Sequence, residues 1–265
     1  MAWSGRQEAF LDRCQTSALD AVVLGQCGGS ATAGASTNED GALVFVGADW
    51  TFAMLLDGHA SAESVDLLID VFQEEAETIA TILDGDRSDV FEPLETHLLR
   101  LFRSDHVRAR CQAAQGETAC LICVERGGFL WWLSVGDCLV YVLHPDFAKL
   151  GQYALNSRTF FQWIGQVNTF DLPVPCYSRG VCELRNGWNR IVLVTDGLLE
   201  CGSRMFSDPM TLSDWFTRQE GNDAHTLEAQ VGAALRHVQA EAGRDSATVL
   251  AWDAYSGRSA SLPTR

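Results

Sequence analysis

The stretch FAMLLDGH, residues 52–59, runs from an apolar segment straight into an aspartate, a glycine and a histidine. An apolar segment also leads to an aspartate and a glycine in IVLVTDG, residues 191–197, while RDSATVLAW, residues 244–252, places an aspartate just before its apolar run. Short apolar runs rich in β-branched residues and bounded by turn residues are typical of strands. The sequence therefore predicts three carboxylates at the ends of buried strands.

Those carboxylates belong to Asp57, Asp196 and Asp245. Hard divalent ions such as Mg²⁺ and Mn²⁺ need oxygen ligands, and clustered carboxylates with backbone carbonyls supply them. A glycine after the aspartate, as at Gly58 and Gly197, lets the backbone approach an ion closely. Taken singly, an Asp-Gly after a strand is usually only a turn. The metal interpretation therefore depends on the motifs around these aspartates.

Working outward, strand and helix patterns cover most of the chain, in the order strands, a central helix pair, more strands, helices and a final strand, which is not a β-α-β alternation. Strands are predicted at 19–27, 42–46, 52–56, 118–124, 129–135, 139–143, 181–184, 191–195 and 247–252, and helices at 60–83, 92–110, 211–218 and 226–241, with a short helix at 159–164. The three runs between 118 and 143 look like a β-meander, and the Gly85-Asp86 turn region separates an antiparallel helix pair. The order predicts an α+β fold of antiparallel sheets with helices outside.

The composition favours one intracellular domain. The chain has 265 residues, of which 47% are hydrophobic, so a single domain over 1–265 is expected. It lacks both a 20-residue apolar run and a secretory signal, which predicts a cytoplasmic protein with no membrane partner. A net charge of −16 argues against a nucleic-acid partner. Excess carboxylate suits divalent cations, although acidic surfaces commonly serve only solubility.

Nine cysteines, an odd number set mostly in apolar stretches, favour reduced thiols over a disulfide framework. Cys120 and Cys123 form a C-x-x-C, but they fall on a predicted strand. Positions three apart on a strand point to opposite faces. A zinc or redox function for this pair is therefore disfavoured.

Six short motifs occur in the order seen in the PPM (type 2C) metal-dependent Ser/Thr protein phosphatases. They are Asn38-Glu39-Asp40, Asp57-Gly58-His59, Gly116-Glu117-Thr118, Gly136-Asp137, Asp196-Gly197 and Arg244-Asp245-Ser246-Ala247-Thr248. The sequence thus resembles a divergent bacterial-type member of that family over nearly its whole length. The resemblance implies a four-layer αββα sandwich of two antiparallel β-sheets flanked by helices, with a centre of two divalent cations, Mn²⁺ or Mg²⁺.

The resemblance also assigns roles to individual residues. The implied metal ligands are Asp57 as the bridge between the ions, Gly58 through its carbonyl, Asp196 and Asp245 on one ion, and Glu39 and Asp40 on the other, directly or through water. His59 matches the family's candidate general acid, a role that suits an imidazole pKa near ~6.5. The alternative is a structural histidine that holds the turn.

These roles imply hydrolysis of phosphoserine or phosphothreonine in a phosphorylated protein substrate, by water activated at the two metals, with Asp57 and His59 as catalytic residues. We expect a monomer. Two alternatives stay open: a pseudophosphatase that serves as a binding or scaffold module, and a phosphatase of small phosphorylated metabolites. Survival of all five acidic positions favours the enzyme.

Two positions depart from the family pattern. The usual phosphate-binding arginine is replaced by Ala35, and an aspartate that holds a third metal in many bacterial members is replaced by Ala113. Arg158 or Arg179, from the irregular segment 144–179, are candidate substitutes, although surface arginines are the commoner case. Asp137 is interpreted mainly as a turn residue, with a site role as the alternative. Of the adjacent Trp131 and Trp132, at least one is expected in the core.

Overall fold

Two antiparallel sheets form the centre of the molecule in a computed structural model that describes residues 1–85, 90–217 and 226–258. Strands are numbered in chain order. Sheet A contains, from edge to edge, β1 (Ala2–Ser4), β4 (Gly41–Val46), β5 (Trp50–His59), β6 (Glu117–Arg126), β7 (Phe129–Val135) and β10 (Ser178–Glu183), with β9 (Ile164–Gly165) paired to β6. Sheet B contains β2 (Cys14–Leu19), β3 (Val22–Cys27), β12 (Ala247–Ser256), β11 (Gly187–Val194) and β8 (Leu139–Leu143).

Helices cover the outer faces of both sheets. The described helices are α1 (Glu63–Glu74), α2 (Ala76–Leu83), α3 (Phe91–Phe102), α4 (Asp105–Ala113), α5 (Pro145–Ala148), α6 (Asp196–Glu200), α7 (Pro209–Phe216) and α8 (Leu227–Ala240). Helices α1 to α4 pack on sheet A, and α6 to α8 pack on sheet B. None of the described helices is both long and apolar enough to cross a membrane.

Three apolar layers hold the sandwich together. Met54 and Leu56 face the helices on sheet A, whereas Leu55 between them faces sheet B. Because both faces of such a strand are buried, its apolar run is continuous rather than alternating. Leu235 of α8 fills the third layer, beneath sheet B. The predicted α+β, four-layer αββα sandwich is confirmed.

The cysteine and tryptophan predictions also agree with this layering. Cys120 lies in the helix-facing layer and Cys123 between the sheets, on opposite faces of β6. All nine cysteines are free. Trp131 is buried against the helices, and Trp132 packs from the other face of β7.

The predicted β-meander is wrong. β6 and β7 pair as a hairpin, but β8 leaves sheet A and pairs with β11 in sheet B. The chain crosses at Gly136, whose φ of +92° suits glycine and where a Cβ would lie 2.5 Å from the Cβ of Ala119. Strand periodicity reports which residues share a face, not which sheet a strand joins, so the pattern alone did not reveal this crossover.

Several helix and strand boundaries also differ from the predictions. The helix predicted at 60–83 is divided at Glu75 into α1 and α2. The helix predicted at 92–110 is divided at Ser104, whose side chain accepts from the Val107 N–H and caps α4. The two pairs pack side by side, as expected. The predicted strand 19–27 corresponds to β3 from Val22 onward, and its first residue, Leu19, ends β2, which pairs with β3 as a hairpin.

Other differences concern short segments. The helix predicted at 159–164 is not observed, and that segment ends in the two-residue strand β9. Strand β1, which pairs with β4, was not predicted. Asp86 of the predicted turn and Arg218 at the end of a predicted helix lie outside the described residues.

Candidate active site

The three sequence-predicted aspartates meet where the strand ends of the two sheets come together. Asp57 lies near the end of β5 in sheet A, and Asp196 begins α6, two residues after the end of β11 in sheet B. An oxygen of the Asp57 carboxylate accepts a hydrogen bond from the Asp196 N–H at 3.4 Å. Asp245 precedes β12, the neighbour of β11. The site therefore depends on packing between the sheets.

Asp40 fixes these strand ends from inside the protein. Its fully buried carboxylate accepts hydrogen bonds from the hydroxyls of Thr195, Ser246 and Thr248, at 3.2, 2.9 and 2.6 Å. Thr195 immediately precedes Asp196, and Ser246 immediately follows Asp245. A single carboxylate at the start of β4 thus positions the backbone next to both acids.

The glycines after Asp57 and Asp196 let separate chain segments approach each other. A Cβ on Gly58 would lie 2.3 Å from the carbonyl oxygen of Glu39, and one on Gly197 would lie 1.7 Å from that of Ser246. The Gly58 N–H also donates to the Glu39 carbonyl at 3.1 Å. The Asp-Gly pairs therefore have a packing function in addition to the ligand role predicted for Gly58.

The carboxylates raise one another's pKa values. Burial, followed by the charges of Asp245 and Asp196, raises the pKa of Asp40 to about 7, against the lowering effect of its hydroxyl partners. Burial and the charges of Asp245 and Asp137 raise the pKa of Asp196 to about 7 as well. The pKa of Asp57 is raised well above its usual range by burial and then by the charges of Asp40, Asp196, Asp245 and Asp137. A cluster of this kind favours the uptake of protons or the approach of a positive charge.

Asp137, Asp245 and Glu39 complete the acidic surroundings. Asp137, predicted mainly as a turn residue, also contributes its charge, since it raises the pKa of both Asp57 and Asp196. Asp245 is exposed along one side, but partial burial and the charge of Glu39 raise the pKa of its carboxyl. We call Asp40, Asp57, Asp137, Asp196 and Asp245 the acidic cluster.

Arg158 is a cation within hydrogen-bonding distance of this cluster. Its Nη2 donates to Asp137 at 3.2 Å and to Asp196 at 3.1 Å, and its Nη1 donates to Glu200 at 2.6 Å. Arg179, the other candidate, pairs with Glu95 on α3 instead. Of the two candidates named from the sequence, the structure therefore places Arg158 at the acidic cluster and Arg179 outside it.

His59 lies at the rim of the site. It is exposed at the end of β5, two residues after Asp57, so the two side chains leave the same face of the strand. Its ring stacks on Trp163, with centroids 6.4 Å apart and an interplanar angle of 15°. Ala35 lies in the loop before Glu39, and Ala113 is exposed at the end of α4.

The donor atoms fit hard divalent cations in type, since they are carboxylate oxygens in a site with excess negative charge. In the described residues, however, no group of three or more His, Cys, Asp or Glu side chains is gathered closely enough to hold an ion. One oxygen of Asp196 pairs with Arg158. The chemistry of the site fits Mn²⁺ or Mg²⁺, and the ligand geometry is not that of a closed coordination shell.

A sandwich of two antiparallel sheets, with helices outside and acidic strand ends at one edge, defines the fold of the PPM-type serine/threonine phosphatases. Solved structures agree. The S. agalactiae serine/threonine phosphatase covers 83% of this chain and 94% of its own at 17% identity, with a TM-score of 0.59. The catalytic domain of the serine/threonine phosphatase PstP, in complex with two manganese ions, covers 82% and 91% at 20% identity, with a TM-score of 0.54.

A third solved structure, RsbX in complex with magnesium, covers 91% of this chain and all of its own at 13% identity, with a TM-score of 0.56. No protein-family model and no curated protein sequence matches the chain. At these identities the likeness establishes the fold. The predicted resemblance to bacterial PPM phosphatases is thereby confirmed, for a divergent sequence.

Proposed function

We propose that the chain hydrolyses phosphoserine and phosphothreonine in protein substrates with the help of divalent cations, Mn²⁺ or Mg²⁺. The observation that carries this proposal is the meeting of Asp57, Asp196 and Asp245 at one edge of a serine/threonine phosphatase fold. Their raised pKa values express an excess of negative charge that two cations would neutralise.

The residues proposed to hold the cations are those named from the motifs: Glu39, Asp40, Asp57, Gly58, Asp196 and Asp245. Bound there, the ions supply two things, a lowered pKa for a nearby water and neutralisation of charge on the phosphoryl group. Asp40 already receives three hydroxyl hydrogen bonds, so its main task in this scheme is to position the backbone at Asp196 and Asp245.

Phosphate ester hydrolysis also requires that the leaving alkoxide be protonated. The imidazole of His59 is suited to donate that proton, because it is exposed at the end of β5 and histidine is the side chain that most often acts as a general acid. Stacking on Trp163 restricts the orientation of the ring at the rim of the site. In this proposal His59 is the general acid, and Asp57 is its neighbour on the same strand face.

The test is hydrolysis of p-nitrophenyl phosphate and a phosphothreonine peptide by the purified protein, with and without Mn²⁺. We expect Mn²⁺-dependent turnover that Asp57→Asn abolishes while the fold stays intact. Asp70→Asn, at an exposed aspartate on α1, is the matched control and should keep full activity. Near-wild-type turnover by Asp57→Asn would overturn the proposed centre.

The second candidate is a pseudophosphatase that binds a phosphorylated partner without hydrolysing it. The ion pairs of Arg158 favour it, because they occupy an oxygen of Asp196 that a cation would otherwise use. Metal binding without turnover on either substrate would support this candidate. Turnover with either substrate would exclude it.

A further inference from the structure

Arg158 is held in place by its neighbours in the chain. The Asn156 side chain donates to the Ser134 hydroxyl at 3.1 Å and to the Cys138 carbonyl at 2.8 Å, and it accepts from the Val140 N–H at 3.0 Å. On the other side, the Thr159 hydroxyl donates to the Gly136 carbonyl at 2.8 Å. These contacts reach the end of β7, the start of β8 and the crossover between them, so the backbone is held on both sides of Arg158.

The guanidinium group keeps donor capacity beyond its ion pairs. Arginine has five N–H donors, and three hydrogen bonds of Arg158 go to Asp137, Asp196 and Glu200. Its Nε is buried and has no hydrogen-bond partner in the structure. One face of the guanidinium lies over the Phe160 ring, 4.9 Å from its centroid. The side chain is still 21% exposed, so a ligand can reach it.

Anion binding in this site needs a positive charge close to the carboxylates. A phosphoryl group that approaches cations at Asp196 also comes within reach of a guanidinium whose Nη2 is 3.1 Å from that carboxylate. Guanidinium groups bind phosphate oxygens through two parallel hydrogen bonds. A cation on Asp196 would also weaken its pull on Arg158, which frees Nη2 for another oxygen.

We propose that Arg158 binds the phosphoryl group of the substrate, a contact that Ala35 is unable to make. This inference rests on the proposed function, since it places the phosphoryl group beside the proposed metal ligands. It assigns Asn156 and Thr159 as positioning residues, because their hydrogen bonds hold the backbone on either side of Arg158. In this proposal, Asp137 and Glu200 hold the guanidinium group of Arg158 in the site before the substrate binds.

The test compares Arg158→Met and Arg158→Lys with Arg179→Met, a matched removal of an arginine paired outside the site. Isothermal titration calorimetry measures Mn²⁺ binding first and inorganic phosphate binding to the Mn²⁺-loaded protein second. We expect Arg158→Met to weaken phosphate binding about 10- to 100-fold, as for loss of a charged hydrogen bond. Its Mn²⁺ affinity should be equal or higher, since a competing cation has gone. Arg179→Met should match wild type.

Arg158→Lys is a second variant in case Arg158→Met fails to fold. It keeps the positive charge and loses only the paired N–H donors of the guanidinium group. It should recover part of the phosphate affinity. Phosphate affinity within twofold of wild type in Arg158→Met would leave Arg158 a purely structural ion pair and overturn the inference, as would no phosphate binding by the loaded wild-type protein. Tight phosphate binding without turnover would defeat the proposed hydrolysis and leave the role of Arg158 standing.

Discussion

The acidic cluster has two sides that satisfy their charge in different ways. On the inner side, the carboxylate of Asp40 is fully buried and receives three neutral hydroxyl groups. On the outer side, Asp137 and Asp196 share one charged partner, Arg158, whose side chain reaches solvent. The inner contacts join β4 to the start of β12 and the end of β11. The outer contacts join the cluster to an irregular surface segment.

The inner side of the cluster therefore acts as a structural scaffold, whereas the charged partners on the outer side can be exchanged for other ions. The hydrogen bonds from neutral hydroxyls to a buried carboxylate are not readily replaced, because leaving such a buried group unpaired costs about 1–3 kcal/mol. A partly exposed ion pair is stabilised far less, and a cation or an anion can replace either partner. We therefore expect inner substitutions to change stability and outer substitutions to change ligand binding and turnover.

The largest effect in this comparison is expected at His59, which lies at the exposed rim of the site. His59→Gln should lower turnover of a phosphothreonine peptide about 100-fold, because the leaving alkoxide then lacks its proton donor. Turnover of p-nitrophenyl phosphate should change far less, since nitrophenolate leaves without protonation. Steady-state kinetics on both substrates measures the contrast, and thermal unfolding should be unchanged at this exposed position. Equal losses on both substrates would contradict the general-acid role.

The next prediction tests whether the inner side of the cluster contributes to stability. Thr248→Val should destabilise the protein by about 1–3 kcal/mol, because it removes the 2.6 Å hydrogen bond to buried Asp40 and leaves that oxygen less satisfied. Denaturant unfolding of the metal-free protein measures it. Thr248→Ser keeps the hydroxyl and is the control. If Thr248→Val unfolds like wild type but loses phosphate binding, the division into inner scaffold and outer surface is wrong.

The sequence was sufficient for the layers of the fold because buried strands leave a strong signal. Continuous apolar runs such as Phe52 to Leu56 identified strands covered on both faces, and helical spacing identified the outer layers. The same signal did not place β8, since a strand buried on both faces has the same composition in either sheet. The breaks at Glu75 and Ser104 were hidden because the apolar spacing continues across them.

The site divides in the same way. Asp57, Asp196 and Asp245 were found because each borders a strand, which fixes its place in the sheet. The hydroxyls of Thr195 and Thr248 gave no signal, since threonine is common in strands for its shape alone. The sequence predicted no regular structure around Arg158 and Arg179, whereas the structure places Arg179 in β10 and pairs Arg158 with the acidic cluster, a difference that only tertiary packing reveals.

The two sides can also be compared through the dependence of stability on pH. The pKa values of Asp40 and Asp196, raised to about 7 in the folded protein, exceed their ordinary value of 3.8. Between these limits the folded protein therefore holds protons that the unfolded chain has released. Stability should fall as the pH rises from about 4 to about 7, because in this range the folded protein binds more protons than the unfolded chain. Urea unfolding across this range in chelator measures the slope.

Two variants show whether the fall of stability with pH comes from the inner or the outer carboxyl of the acidic cluster. Asp40→Asn removes the inner titration and Asp196→Asn the outer one, so each should flatten the dependence by the share of its own carboxyl. Mn²⁺ should flatten it as well, because a cation stabilises the ionised carboxylates and so lowers their pKa values. Stability that rises with pH in chelator would show that the carboxyls are ionised in the fold without a cation. The ion pairs of Arg158 would then be enough to balance the cluster.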